Sequence, residues 1–216
     1  MSKEKVICSV CGSKNRFPKL MECEESDALY PGFCPDPEQL EELEINGILQ
    51  QCEECGYTFP RIDEHTRIER KFVDRKAYRH PFGEAYTGPE SAVKCFRTAL
   101  VYNNVCSEKF AAQWYLYAGL LAGEPYQKRC FKRTLRLLKW KMEQNQRMRR
   151  KPDVEMMLAY LNVMRLLGMF RCVKEIGCQM QSQFTGVDRQ LLEAIMALAE
   201  KGDSSYRLYF DMLTEV

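Results

Sequence analysis

The stretches "ICSVCGSKN" and "QQCEECGYTF" both carry Cys-x-x-Cys-Gly, with 40 residues between Cys11 and Cys52. Thiolates are soft ligands, and a Cys-x-x-Cys turn offers two of them to one cation from a single tight loop. Two such turns complete a tetrahedral shell, so Cys8, Cys11, Cys52 and Cys55 are expected to hold one structural Zn²⁺. Gly12 and Gly56 suit that geometry, because the chain must leave each turn where a positive φ or a close approach of backbone to sulfur is tolerated. The elements that position the turns are readable on either side. "KVICSV" and "NRF" flank the first, "GILQQC" and "YTFPRI" the second, and these β-forming pieces read as hairpin strands of a small zinc ribbon.

Other chemistry at these cysteines remains open but fits less well. A redox Cys-x-x-Cys needs the N-terminus of a helix in a βαβ setting, and "CSVCGSKNRFP" reads as a turn between strands. Disulfide pairing, or four unrelated buried thiols, is the remaining alternative. Cys23 in "LMECEESD" and Cys34 in "GFCPDPEQ" have no second sulfur at ligand spacing and read as small buried residues, with Cys34 the one to watch as a substitute ligand. His65 and His80, the two histidines, fall in a linker-like stretch and read as solvated. A His-based catalytic zinc or a Cys/His nucleophile pair therefore has little to draw on. No Gly-rich phosphate loop, nucleophile elbow or selected carboxylate pair stands out, so no catalytic residue is assigned and an enzyme is not expected.

With 216 residues, 45% hydrophobic and 29% charged, the chain can bury a sizeable core. It has no apolar run long enough for a membrane span, and "MSKEKVICSV" lacks the features of a signal peptide. The expected compartment is the cytoplasm, where eleven cysteines favour metal ligation over a disulfide framework. Residues 1–64 hold 14 acidic and 6 basic side chains, a balance of −8, so with +2 overall the remainder carries +10. That split points to two modules with different surfaces.

Past Gly88-Pro89 the pattern turns helical, with Gly or Pro breaks every 15 to 20 residues or so. "PESAVKCFRTALVYNN" starts at Pro and puts Ala92, Phe96, Ala99 and Leu100 on one stripe. "SEKFAAQWYLYAGLLAG" has Ser107 as a candidate N-cap, aligns Phe110, Trp114, Tyr117 and Leu121, and stops at Gly123. Further helices read through "PYQKRCFKRTLRLLKWKMEQNQRMRR", "PDVEMMLAYLNVMRLLG", "MFRCVKEIGCQMQSQF" and "DRQLLEAIMALAEKG", with a short last one capped by Asp203 or Ser204. About seven helices with tight connections imply antiparallel hairpins, of a degenerate tetratricopeptide-like kind, which commonly present a groove to a peptide. Trp114, Tyr115 and Tyr117 suit either that groove or the core.

Between Lys128 and Lys151 there are 11 Lys or Arg against one acid, Glu143. At helical spacing Lys128, Arg129, Lys132, Arg133, Arg136 and Lys139 share one side, opposite Cys130, Phe131, Leu135, Leu138 and Met142. Such a face is solvated, or docks an acidic partner or the acidic part of its own chain, or neutralises nucleic-acid phosphates with Trp140 stacking on a base. The acidic N-terminal part, further charged by four thiolates on one Zn²⁺, would repel a polyanion.

The order "CSVCG", "GFCP", "CEECGY", then "SAVKCFRTALVYNN", "AAQWYLYAGLLAGE" and "YLNVMRLLGMFRCVKEIG", resembles a family of uncharacterised bacterial proteins. In that family an N-terminal zinc-ribbon-like region precedes tetratricopeptide-like helices. The resemblance implies the ligands Cys8, Cys11, Cys52 and Cys55, with Cys34 in the family's "FCP", and implies no activity. The expected architecture is mostly α: a zinc-ribbon-like domain over 1–62, a linker over 63–88 and an all-α helical-hairpin domain over 89–216. The expected role is a non-catalytic, zinc-binding adaptor or scaffold that meets a protein or peptide through its helices. Nucleic-acid binding through the helix around 128–151 is the alternative, and no membrane contact is expected.

Overall fold

A computed structural model describes residues 3–18, 33–35 and 49–214. The chain divides into two compact units, Met1–Cys130 and Phe131–Val216. A small β region comes first and helices follow, the architecture expected from the sequence. Among the described residues no helix is long and apolar enough to cross a membrane.

In the first unit, β1 (Lys3–Ile7) and β2 (Lys14–Pro18) pair antiparallel with Val6 opposite Asn15, and β3 (Gln50–Gln51) pairs with β4 (Thr58–Phe59). Each hairpin encloses one Cys-x-x-Cys turn. Two-stranded ribbons this short are marginal alone, so they require further packing. That packing comes from a core of Val6, Tyr57, Phe59, Ile62, Ile68, Val73, Tyr78 and Val101, which also takes in Cys8, Cys52 and Cys55. The stretch 63–88, expected as a linker, contributes to this core. It carries two one-turn helices, α1 (Arg70–Val73) and α2 (Lys76–Arg79), whose Val73 and Tyr78 are buried.

Helices α3 (Glu90–Asn104) and α4 (Glu108–Ala122) form a hairpin in the same unit. The three-residue connection leaves no choice but antiparallel packing. Pro89 and Ser107 stand at the two N-caps and Gly123, at φ 65°, ends α4. Residues 111–119 are all buried, so α4 is covered on every side. Trp114, Tyr115 and Tyr117 are accordingly core, not groove: Tyr115 meets Phe96 edge-on at 4.9 Å and Trp114 meets Tyr117 at 5.3 Å. Phe110 departs from its expected buried stripe. It is 44% exposed and stacks on Tyr102 at 5.4 Å.

The division between the units falls within α5 (Tyr126–Arg147). In the second unit α6 (Val154–Leu166), α7 (Phe170–Met180) and α8 (Gly186–Glu200) pack on one another, and α9 (Tyr209–Thr214) adds Met212. Asp153 caps α6 by accepting from the Met156 N–H at 3.1 Å. The "RLLG" stop is a Schellman turn, with Met169 N–H on Met164 O, Gly168 N–H on Arg165 O, and Gly168 at φ 73°. Gly177 allows α7 to approach α8, since a Cβ there would lie 2.8 Å from Met196 Sδ. The last helix begins later than expected. Asp203 does not cap it but accepts the Ser205 N–H and pairs with Arg207 at 3.0 Å.

Arg165 is fully buried on α6. Its guanidinium donates to Asn162 Oδ1 and to the carbonyls of Asp203 and Ser205, each at 2.9 Å, which ties the turn after α8 to the middle of the unit. Arg165→Met keeps the stem's packing but strands those acceptors. It is expected to destabilise the protein by about 3 kcal/mol, read as a lower denaturant midpoint together with faster amide exchange around 203–205.

Candidate metal centre

The two Cys turns have the same backbone. Gly12 N–H bonds Cys8 O and Gly56 N–H bonds Cys52 O, both at 2.8 Å, while Cys8 N–H reaches Ser13 O and Cys52 N–H reaches Tyr57 O at 2.9 and 2.8 Å. The positive φ of Gly12 (74°) and Gly56 (72°) closes each turn, a conformation that glycine adopts without the steric penalty a Cβ would bring. The two Sγ atoms of a pair therefore project to one side of their loop, and the loops face each other.

All four sulfurs lie within 4.8 Å of one another. Across the two turns, Cys8 Sγ is 3.7 Å from Cys55 Sγ and Cys11 Sγ is 3.6 Å from Cys52 Sγ. A Zn–S bond of ~2.3 Å sets the edge of an S₄ tetrahedron at ~3.8 Å, so these spacings fit a tetrahedral ion of that size. They are far beyond the ~2.05 Å of a disulfide bond. Cys8, Cys52 and Cys55 are buried and Cys11 partly so. Among the described residues these four are the cysteines brought together. Cys34 is half-buried and outside the group, His65 and His80 are exposed and outside it, and Cys23 lies outside the described residues.

Burial pushes the Cys8 thiol up to about 11 and moves Cys55 further in the same direction. Cys52 goes the other way, to about 6. Burial opposes its ionisation, but the Ser13 hydroxyl, the N–H groups of Cys55 and Glu54, and the Cys11 thiol together outweigh it. Four crowded sulfurs cannot all ionise unaided, whereas a divalent cation at their centre deprotonates coordinating thiols outright.

Two residues missed in the sequence complete the site. Ser13 Oγ sits 3.1 Å from Cys11 Sγ and 3.0 Å from Cys52 Sγ. Asn15 is buried. Its Nδ2 donates to Cys52 Sγ at 3.6 Å while its Oδ1 accepts the Glu53 N–H at 3.0 Å, so one side chain from β2 holds both sulfur and backbone of the second turn. Their one sequence signal is asymmetry: the small polar Ser13 and Asn15 follow the first Cys-x-x-Cys-Gly at the positions that Tyr57 and Phe59 hold after the second.

The centre is joined to its surroundings by rings and by an arginine. Tyr57, Phe59, Tyr102 and Phe110 run in a line at centroid spacings of 6.1, 4.8 and 5.4 Å. Arg97 on α3 donates to Tyr78 O, Arg79 O and Gln51 Oε1 at 3.1, 2.7 and 2.8 Å, and the Tyr78 hydroxyl accepts the Thr58 N–H of β4 at 2.9 Å.

On α5, Lys128, Arg129, Lys132, Arg136 and Lys139 are exposed, as is Trp140. Arg133, expected among them, is half-buried. Lys128 pairs with Glu124 at 3.5 Å, and the Arg129 guanidinium lies 5.8 Å from the centre of the Phe96 ring. Cys130, Phe131 and Leu138 are buried and Leu135 and Met142 partly so, as the spacing predicts.

No protein-family model matches this chain, and no curated protein or solved structure matches it. The centre is therefore read from its own geometry. Outer hydrogen bonds to ligating groups commonly carry ten- to hundredfold in metal retention, so Ser13→Ala and Asn15→Ala should each speed transfer of the ion to a chelator by roughly 10–100-fold. Asn15→Ala should do more, and Lys14→Ala, on an exposed side chain between them, should do nothing.

Proposed function

We propose that this protein is a zinc-binding interaction protein, an adaptor or scaffold, in which a structural Zn²⁺ fixes a zinc ribbon beside tetratricopeptide-like helical hairpins. The observation that carries the reading is the closed S₄ set of Cys8, Cys11, Cys52 and Cys55. Soft thiolates at tetrahedral spacing select Zn²⁺ over hard cations. A shell filled by four protein sulfurs leaves no position for water or substrate, so the ion supplies folding free energy and not Lewis acidity. The cytoplasm is the compartment that keeps such thiols reduced. The hairpin of α3 and α4 and the helices α6 to α8 supply the rigid faces that meet a protein or peptide.

Native mass spectrometry of the whole chain should show one Zn²⁺. Cys52→Ser should lose it, and with it the dispersed amide NMR signals of the β region, because structural zinc sites contribute roughly 10–16 kcal/mol of binding to folding. A metal-free wild-type chain, or Cys52→Ser with unchanged fold and metal content, removes the reading.

A second reading, nucleic-acid binding, draws on the exposed Lys132, Arg136, Lys139 and Trp140 of α5. Retention on immobilised RNA would then fall steeply with salt and drop in a Lys132→Glu/Arg136→Glu/Lys139→Glu variant. Salt-insensitive or absent retention returns the cationic face to solvent or to an acidic protein partner.

A further inference from the structure

The second unit contains a cavity of about 390 Å³ bounded by α5, the start of α6 and the end of α7. Its apolar wall is Met142, Met156, Met157, Ile176 and Met180. The volume lies in the range of small-molecule sites, and a wall of thioethers is polarizable and re-shapes around an aliphatic or aromatic body.

Two features of the polar lining narrow the chemistry of the ligand. Asn145 lines the cavity, and its Oδ1 is a buried acceptor without a hydrogen-bond partner. Leaving such an atom unmatched costs free energy that a donor on a ligand recovers. The torsion that turns an asparagine amide is broad, so a small rotation brings Oδ1 to a donor held among the methionines. The charged lining is balanced, with Lys139 and Arg150 against Glu143 and Asp153, and Gln146 and Gln183 beside them are neutral. Neither sign of charge gains an advantage there. A charged ligand would give up its hydration and meet no net opposite charge in return.

We propose that this cavity binds an uncharged, mainly apolar molecule carrying one O–H or N–H donor, whose body lies among the methionines and whose donor meets Asn145 Oδ1. The site belongs to the second unit and is independent of the function proposed for the cysteine centre. It adds a ligand-binding capacity to a chain otherwise read as scaffold.

Hydrocinnamyl alcohol is the probe, titrated into the full-length protein labelled at its methionine methyl groups. Three analogues share its body: the methyl ether, which cannot donate, the hydrocinnamyl ammonium ion and the hydrocinnamate ion. The NMR signals of Met142, Met156, Met157 and Met180 should shift and saturate at one alcohol per chain. One neutral hydrogen bond corresponds to roughly three- to tenfold in affinity, and the ether should bind more weakly than the alcohol by that factor. Both ions should also bind more weakly than the alcohol. Asn145→Leu keeps a similar volume and removes an unmatched acceptor, so the variant should fold, bind the ether as before and lose its preference for the alcohol. The proposal is overturned by no saturable binding, by shifts confined to other methionines, by an ether that binds as tightly as the alcohol, by tighter binding of either ion, or by a preference that survives Asn145→Leu. If that variant does not fold, the ether and the two ions still decide the matter.

Discussion

Four sulfurs from turns far apart in the chain lie within 4.8 Å of one another, close enough to hold one metal ion, and the core of the first unit is built around them. Each hairpin around a Cys turn is too short to hold itself together. The cysteines are also part of the apolar core, sharing it with Tyr57, Phe59, Ile62 and Val101. Coordination and hydrophobic burial therefore act on the same residues. A cation that drew the turns together would also hold Val6 and Tyr57 in the core they share with Val101 of α3, and an intact core presents the thiols at ligand spacing.

Both units solve a second problem with the same device. A turn that must pass close to a packed helix exposes carbonyls that need partners. In the first unit Arg97 of α3 binds the carbonyls of Tyr78 and Arg79, and in the second Arg165 of α6 binds those of Asp203 and Ser205. Desolvation works against a buried guanidinium and lowers the pKa of Arg97. The planar fork compensates by serving several acceptors at once. Each arginine thus fastens a segment whose own sequence carries little structural preference.

What could be read from the sequence follows the range of the interactions involved. The Cys-x-x-Cys-Gly turns, the flanking strands and the seven helices from Glu90 onward were legible, because each is encoded within about a dozen residues. Stops such as Gly123 and Gly168 came through for the same reason. Features set by distant partners did not. Trp114 and Tyr117 share one stripe of α4 and Tyr115 lies off it, and only burial of the whole helix places all three in the core. Tyr78 reads as part of a charged linker until its hydroxyl is found on the Thr58 N–H. Ser13, Asn15, Arg97 and Arg165 take their meaning from partners 18 to 46 residues away. No periodicity reports such pairs.

The reach of a metal ion held by the four cysteines would be set by this continuity. Asn15 connects Cys52 to the backbone of the second turn, Tyr57 stands directly after that turn, and the ring series leads through Phe59 to Tyr102 on α3. Aromatic contacts of this kind contribute about 0.5–1.5 kcal/mol each beyond their buried area, and they do so only while both rings hold their places. With an ion held at the four cysteines, its loss would free the turn that positions Tyr57 and remove the support for the first ring in the series. Tyr102 would then lose Phe59 as a firmly held neighbour, while its stack on Phe110, whose ring is half open to solvent, would remain. A structural ion held by the four cysteines would thereby be coupled, through packing, to the end of a helix that supplies none of its ligands.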